Sequence, residues 1–119
     1  MINFKSMKGL IEMTPAENKW QKKIDWVLCD LEGLEKMENV QRQKEAEGAY
    51  MTTSSLLMDV KRAGYNGTIE GRKADGISTW LEEAQFDLEN LAVYHLNQSE
   101  AEEYLTAIKT ALEYSLTYF

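Results

Sequence analysis

The chain has 119 residues, and its 20 acidic and 13 basic residues give a formal net charge of −7. This length predicts a single domain spanning residues 1–119. A single cysteine excludes an internal disulfide and a cysteine zinc cluster, and no apolar run approaches the roughly 20 residues that would span a bilayer. Residues 1–13 lack the continuous apolar core of a signal peptide, so we expect a cytosolic protein that does not bind membranes.

The negative charge is concentrated in the C-terminal part of the chain. Residues 74–119 contain nine acidic residues and one basic residue, Lys109, whereas residues 1–73 contain twelve basic and eleven acidic residues. The two parts therefore carry formal charges of −8 and +1. This asymmetry disfavours direct binding to nucleic acid and favours a basic protein as the partner.

The first predicted helix covers residues 15–46 and follows a short N-terminal segment, 1–13. Thr14 can cap its free N–H groups, Pro15 suits the first helical position, and Glu17 can reach back to complete a capping box. Apolar residues at helical spacing predict one core stripe: Trp20, Ile24, Val27, Leu31 and Leu34.

A second apolar stripe follows the same predicted helix, well away from the first. Its members are Trp26, Cys29, Gly33, Met37 and Val40. Such a helix is either enclosed within its own domain or uses one stripe outside it. In the second case Trp26, Gly33, Met37 and Val40 form the interface of a homo-oligomer or of a small subunit in a larger complex.

A shorter helix is expected over residues 50–63, with Gly48 ending the first one, although a single continuous helix is an alternative. Four glycines within thirteen residues predict a loop over residues 64–78: Gly64, Gly67, Gly71 and Gly76. Asn66-Gly67 is a turn signal, and a short hairpin is an alternative form of this loop.

Two further capping boxes, at Thr79 and Ser99, predict helices over residues 79–96 and 100–118. The short connection between these helices predicts an antiparallel hairpin. We therefore expect an all-α bundle of about four helices, with one glycine-rich loop between the second and third helices. Segment 1–13 is expected to pack across the bundle.

No pattern indicates catalysis, a cofactor or a metal site. His95 has no carboxylate three or four residues away, which gives it no partner for catalysis on its own helix. It is predicted to be buried or half-buried and bonded to a nearby carbonyl, because it ends the core stripe of the third helix: Ile77, Leu81, Ala84, Leu88, Leu91 and His95. Cys29 has an acidic neighbour, Asp30, and is expected to be a small core thiol rather than a nucleophile. The sequence thus favours a protein that is not an enzyme.

The third helix carries the strongest indication of a partner site. Phe86 and Val93 lie opposite its core stripe, flanked by Glu82, Glu83 and Glu89. Alternatively, the N-terminal segment or the loop covers the two apolar residues.

The leading hypothesis is a non-enzymatic inhibitor or regulator that occupies the basic surface of a nucleic-acid-binding protein, such as an enzyme. In general character, though in no motif, it resembles small acidic proteins of bacteriophages and mobile elements that block nucleases. The alternative is the homo-oligomer or complex subunit assembled through the second stripe.

Overall fold

The computed structural model describes residues 14–119, which form four α-helices and one short 3₁₀ helix and contain no strand. The elements are α1 (Pro15–Asp30), the 3₁₀ helix (Leu34–Lys36), α2 (Asn39–Tyr65), α3 (Gly71–Val93) and α4 (Gln98–Leu116). The predicted all-α bundle of about four helices is therefore confirmed. The expectation for segment 1–13 concerns residues outside the described part of the chain.

The core forms where the apolar stripes of the helices meet. Helix α3 lies between α2 and α4, and α1 packs against both α2 and α4. All five residues of the predicted α1 stripe are buried, and so are the α3 residues Ile77, Leu81, Ala84, Leu88 and Leu91. His95 does not continue the α3 stripe, because the helix ends at Val93 and the histidine is exposed.

The first helix begins as predicted but ends much earlier. Thr14 Oγ1 accepts a hydrogen bond of 3.1 Å from the Glu17 N–H. The Glu17 carboxylate instead pairs with Lys73 at the start of α3, at 2.6 Å, and is almost wholly buried. Gly33 adopts φ +79°, a left-handed conformation that favours glycine, and the chain turns there. The prediction of a continuous helix over residues 15–46 is therefore wrong.

Helix α2 runs without a break for 27 residues, so the predicted helix over residues 50–63 is too short. Gly48 lies in the interior of α2 and does not end a helix. The end comes at the Asn66-Gly67 turn, where Gly67 has φ +74°. The Thr68 N–H donates to Ala63 O at 2.8 Å and the Gly67 N–H to Gly64 O at 3.3 Å, which is a Schellman cap.

The predicted loop over residues 64–78 shrinks to a short turn after α2. Helix α3 already begins at Gly71, so neither the long loop nor the alternative hairpin is present. Gly64 and Gly76 serve close packing: a Cβ on Gly64 would collide with Ala74, and one on Gly76 with the Tyr118 ring. These glycines therefore allow helices and side chains to approach each other.

Two predicted helix starts are displaced. Thr79 lies inside α3, where its hydroxyl donates to Asp75 O at 2.8 Å, and so it caps nothing. The cap of α4 is Asn97 and not Ser99. Asn97 Oδ1 accepts from the Glu100 N–H at 2.8 Å, and the Glu100 carboxylate accepts from the Asn97 N–H at 3.1 Å. This capping box fixes the start of α4 after a connection of four residues.

Arg42 joins the 3₁₀ helix to the connection between α3 and α4. Its side chain is only 4% exposed and donates hydrogen bonds to the backbone carbonyls of Leu34, Glu35, Met37 and Leu96, at 2.6–3.1 Å. Asn39 Oδ1 accepts from the same guanidinium and from the Leu96 N–H, at 3.3 and 2.9 Å. The start of α2 therefore holds the α3–α4 connection in place.

Candidate functional site

The five predicted partner-binding residues all lie on α3 and are all exposed. Phe86 and Val93 are 64% and 62% exposed. They lie two helical turns apart on the side of α3 that faces away from the core. The short turn after α2 does not cover them, so the alternative in which the glycine-rich loop covers Phe86 and Val93 is wrong. The alternative in which segment 1–13 covers them concerns residues outside the described range.

The three glutamates around Phe86 do not form one ring of free charge. Glu82 pairs with Lys61 of α2 at 2.6 Å, which places it on the α2 flank of α3 and reduces its local charge. Glu89, seven residues further along, lies on that same flank by helical geometry. Glu83 lies on the opposite flank, towards α4. The acidic surface is therefore divided into an α2 side and an α4 side.

On the α4 side, an open cleft between α3 and α4 is lined by carboxylates. Asp87 of α3 and Glu100 and Glu103 of α4 line it, together with Tyr104 and Ala107. Partial burial raises the pKa of Asp87 above its ordinary value, and the charge of Glu83 raises it further. We call Glu83, Asp87, Glu100 and Glu103 the cleft carboxylates.

The described part of the chain supplies no ion-pair partner for the cleft carboxylates. None of them forms an ion pair with a basic residue from 14–119; the basic residues Lys61, Lys73 and Lys109 pair with other acids. Because like charges in a partly desolvated cleft repel, this surface attracts a cationic group more strongly than scattered surface acids would.

Aromatic packing fixes the two helices that carry the cleft. The rings of Trp80 on α3 and Tyr114 on α4 stack with centroids 4.7 Å apart and an interplanar angle of 19°. Tyr118 lies against Gly76 one turn further along. Together with the Asn97 capping box, these contacts set the register of α3 and α4, the two helices that carry the cleft carboxylates.

The residues predicted for an oligomer interface do not form one stripe, because α1 ends at Asp30. Trp26 is exposed on α1, and Gly33 forms the turn that follows it. Met37 is partly buried against the core, whereas Val40 is exposed on α2. The prediction that these four residues form one stripe on one helix is therefore wrong, whereas an oligomer interface that includes them stays a prediction.

The two candidate reactive side chains are both at the surface. Cys29 is exposed near the end of α1, so the prediction of a core thiol is wrong. His95 is exposed in the α3–α4 connection. Residues 14–119 contain no group of three or more His, Cys, Asp or Glu side chains arranged to hold a metal ion. No helix in this range combines the length and the apolar character required to cross a membrane.

Sequence reasoning missed Asp87, Glu100 and Glu103 as members of the site. The acidic composition of this region was a signal, but their proximity depends on the register between α3 and α4. Comparison with known proteins adds nothing to this geometry: no protein-family model matches the chain, and no curated protein or solved structure is significantly similar to it.

Proposed function

We propose that this protein is a non-enzymatic binding domain that occupies the basic surface of a nucleic-acid-binding protein and thereby inhibits or regulates it. The observation that carries the proposal is that α3 presents exposed Phe86 and Val93 and also contributes Asp87 to the cleft, which Glu100 and Glu103 of α4 complete. A protein interface commonly combines an apolar centre with a polar rim, and this surface offers both.

The charge of the surface selects a basic partner. Four carboxylates line or adjoin one cleft, and residues 74–119 contain only one basic residue, Lys109, which pairs with Glu32 at 3.6 Å. A lysine or arginine of the partner placed beside Asp87 would relieve its repulsion with Glu83. Arginine is the better match, because its planar guanidinium binds carboxylates through two hydrogen bonds.

A basic surface that binds nucleic acid recognises rows of negative charge. Carboxylates held on α3 and α4 can take the place of phosphates, and the field of the acidic part steers association with such a surface. Phe86 and Val93 add apolar contacts that phosphates lack, which favours a protein partner over simple ion exchange.

The proposal is tested by quantitative affinity capture from a nuclease-treated lysate of the source organism, followed by mass spectrometry. The test variant neutralises the site with Glu83→Gln, Asp87→Asn, Glu100→Gln and Glu103→Gln. A matched control neutralises four exposed acids elsewhere: Glu45→Gln, Asp75→Asn, Glu102→Gln and Glu113→Gln. Glutamine at position 100 can still accept the capping hydrogen bond.

We expect wild type and control to retain a basic, nucleic-acid-binding protein that DNA or RNA displaces. The site variant should bind that protein at least about fourfold more weakly, because four lost charges at about 0.2–1 kcal/mol each remove about 0.8–4 kcal/mol of binding free energy. Phe86→Ala with Val93→Ala should weaken binding as well. Equal loss in control and site variant would show that bulk charge alone is responsible, and a captured protein that nucleic acid does not displace would contradict the proposed mode of action.

A further inference from the structure

The outward side of α2 carries a second exposed apolar row, separate from Phe86 and Val93. Met51, Met58 and Tyr65 follow each other at intervals of seven residues, and all three are more than half exposed. Their spacing places them on one line along a helix that is about 40 Å long at 1.5 Å per residue. Exposed apolar rows of this kind in soluble domains commonly mark an interaction surface.

Charged residues continue this row in a symmetric order. Glu47 precedes Met51 by four residues, and Arg62 follows Met58 by four. Both side chains are exposed, as is Ser55 between the two methionines. Successive spacings of four, four, three and four residues put Glu47, Met51, Ser55, Met58 and Arg62 on one face of α2.

We propose that a second copy of this chain packs its α2 antiparallel against the same face. The arrangement is centred between residues 54 and 55 of α2, so Met51 meets Met58 of the second copy twice. With the same centre, Glu47 meets Arg62 of the second copy, again twice. An isologous interface of this kind requires a self-complementary surface, and both pairings meet that requirement with one common centre.

Charge complementarity selects the antiparallel orientation. In a parallel pair, Glu47 would face Glu47 of the second copy and Arg62 would face Arg62, which is repulsive at both places. The antiparallel pair replaces these contacts with two salt bridges. The exposed Lys44 and Tyr65 also become opposite each other across the same centre, where a cation–π contact can form.

Small residues on this face allow two helices to approach closely. Ser55 lies beside the centre, and Gly48, nearly two turns before it, has open space around the position of a Cβ. Helices packed through small side chains have axes about 8–10 Å apart. This interface differs from the surface in the proposed function, because it lies on α2, whereas the cleft carboxylates lie on α3 and α4.

A charge swap measured by sedimentation equilibrium tests the proposal on the 119-residue chain. Wild type should associate reversibly towards twice its mass of 13.7 kDa as concentration rises. Glu47→Arg and Arg62→Glu should each raise the dissociation constant about tenfold or more, because each affects two symmetric pairs. The double variant, Glu47→Arg with Arg62→Glu, should return to within about threefold of wild type.

Apolar variants separate this interface from the α3 surface. Met51→Gln with Met58→Gln should abolish association, whereas the matched pair Phe86→Gln with Val93→Gln should leave it unchanged. Because all four side chains are exposed, the helical circular dichroism signal of both variants should equal that of wild type.

Cysteine cross-linking in a Cys29→Ser background reports the register. Ser55→Cys should form a disulfide-linked dimer, because its two copies lie beside the symmetry centre. Lys44→Cys should not, because its two copies would be about 30 Å apart, 21 residues along the helix.

A wild-type protein that stays monomeric at all concentrations would overturn the proposal. Failure of the double charge variant to recover, or efficient cross-linking of Lys44→Cys, would also overturn it.

Discussion

Replacement of Arg42 by methionine should destabilise the protein more than any exposed substitution. Arg42 is 4% exposed and donates to Leu34 O at 2.8 Å and to Leu96 O at 3.0 Å in buried surroundings. Methionine fills a similar volume but offers no donor, so Leu96 O loses the hydrogen bond from Arg42, whereas Leu34 O keeps the one from the Met37 N–H at 3.1 Å. One newly unsatisfied buried carbonyl group costs about 1–3 kcal/mol, and we expect a loss of stability of that size.

This loss is large against the total stability of a small domain, which is about 5–15 kcal/mol. Urea unfolding followed by circular dichroism at one fixed, low protein concentration measures it. The matched control is Arg72→Met, since Arg72 is exposed near the start of α3, and its effect should stay within about 0.5 kcal/mol. Arg42→Lys should fall between the two, because an ammonium group has fewer donors and no planar fork.

An Arg42→Met protein as stable as wild type would contradict this expectation. That outcome is physically meaningful, because a buried charge without a carboxylate partner pays a desolvation cost that an apolar side chain avoids. Hydrogen exchange at the Leu96 N–H gives a second readout, since this group donates to Asn39, which also accepts from Arg42. We expect its protection to fall in Arg42→Met and to remain in Arg72→Met.

Of three further substitutions, two should raise the free energy of unfolding and one should lower it. Gly48→Ala should stabilise the fold by about 0.5–1 kcal/mol in a urea melt, because Gly48 lies within α2 and an added Cβ would meet no neighbouring atom. Gly64→Ala should destabilise it by about 1–3 kcal/mol, because the new methyl group collides with Ala74. Asp87→Asn should stabilise the fold near pH 7 but not near pH 3. Burial and the charge of Glu83 raise the pKa of Asp87 in the folded protein above 3.8. The ionised aspartate therefore lowers the free energy of unfolding as pH rises from 3.8 through the raised pKa, and asparagine avoids this loss.

The core of the bundle could be read from the sequence because helical spacing is a local property. The stripes Trp20–Leu34 and Ile77–Leu91 needed only a period of 3.6 residues, and both are buried. The exposure of Phe86 follows from the same geometry, since a residue opposite a buried stripe faces away from the core.

The ends of the helices could not be predicted from local spacing, because glycine serves two purposes in this chain. Gly33 and Gly67 adopt positive φ and end helices. Gly64 and Gly76 lie within helices and make room for Ala74 and Tyr118, and this role is visible only once tertiary neighbours are known. A cluster of glycines therefore predicted a long loop where the chain forms a short turn and the start of α3.

Arg42 shows why polar residues near a helix start can be misjudged. It lies in the polar stretch of residues 41–48, which reads as solvated surface. Its burial depends on carbonyl groups of the 3₁₀ helix and of Leu96, 54 residues away in the sequence. No local pattern in the sequence encodes that convergence.

The candidate site depends on the same kind of long-range register. Glu83 and Asp87 repel each other, and Glu100 and Glu103 add charge from the facing helix. The stack of Trp80 on Tyr114 and the capping box at Asn97 hold these groups together in spite of that repulsion. A partner that supplies cations would therefore meet helices that are already packed in register, so that binding would not have to order the backbone. On this reasoning Asp87→Asn should raise stability and lower affinity together, a combination that separates a binding residue from one that only keeps the protein soluble.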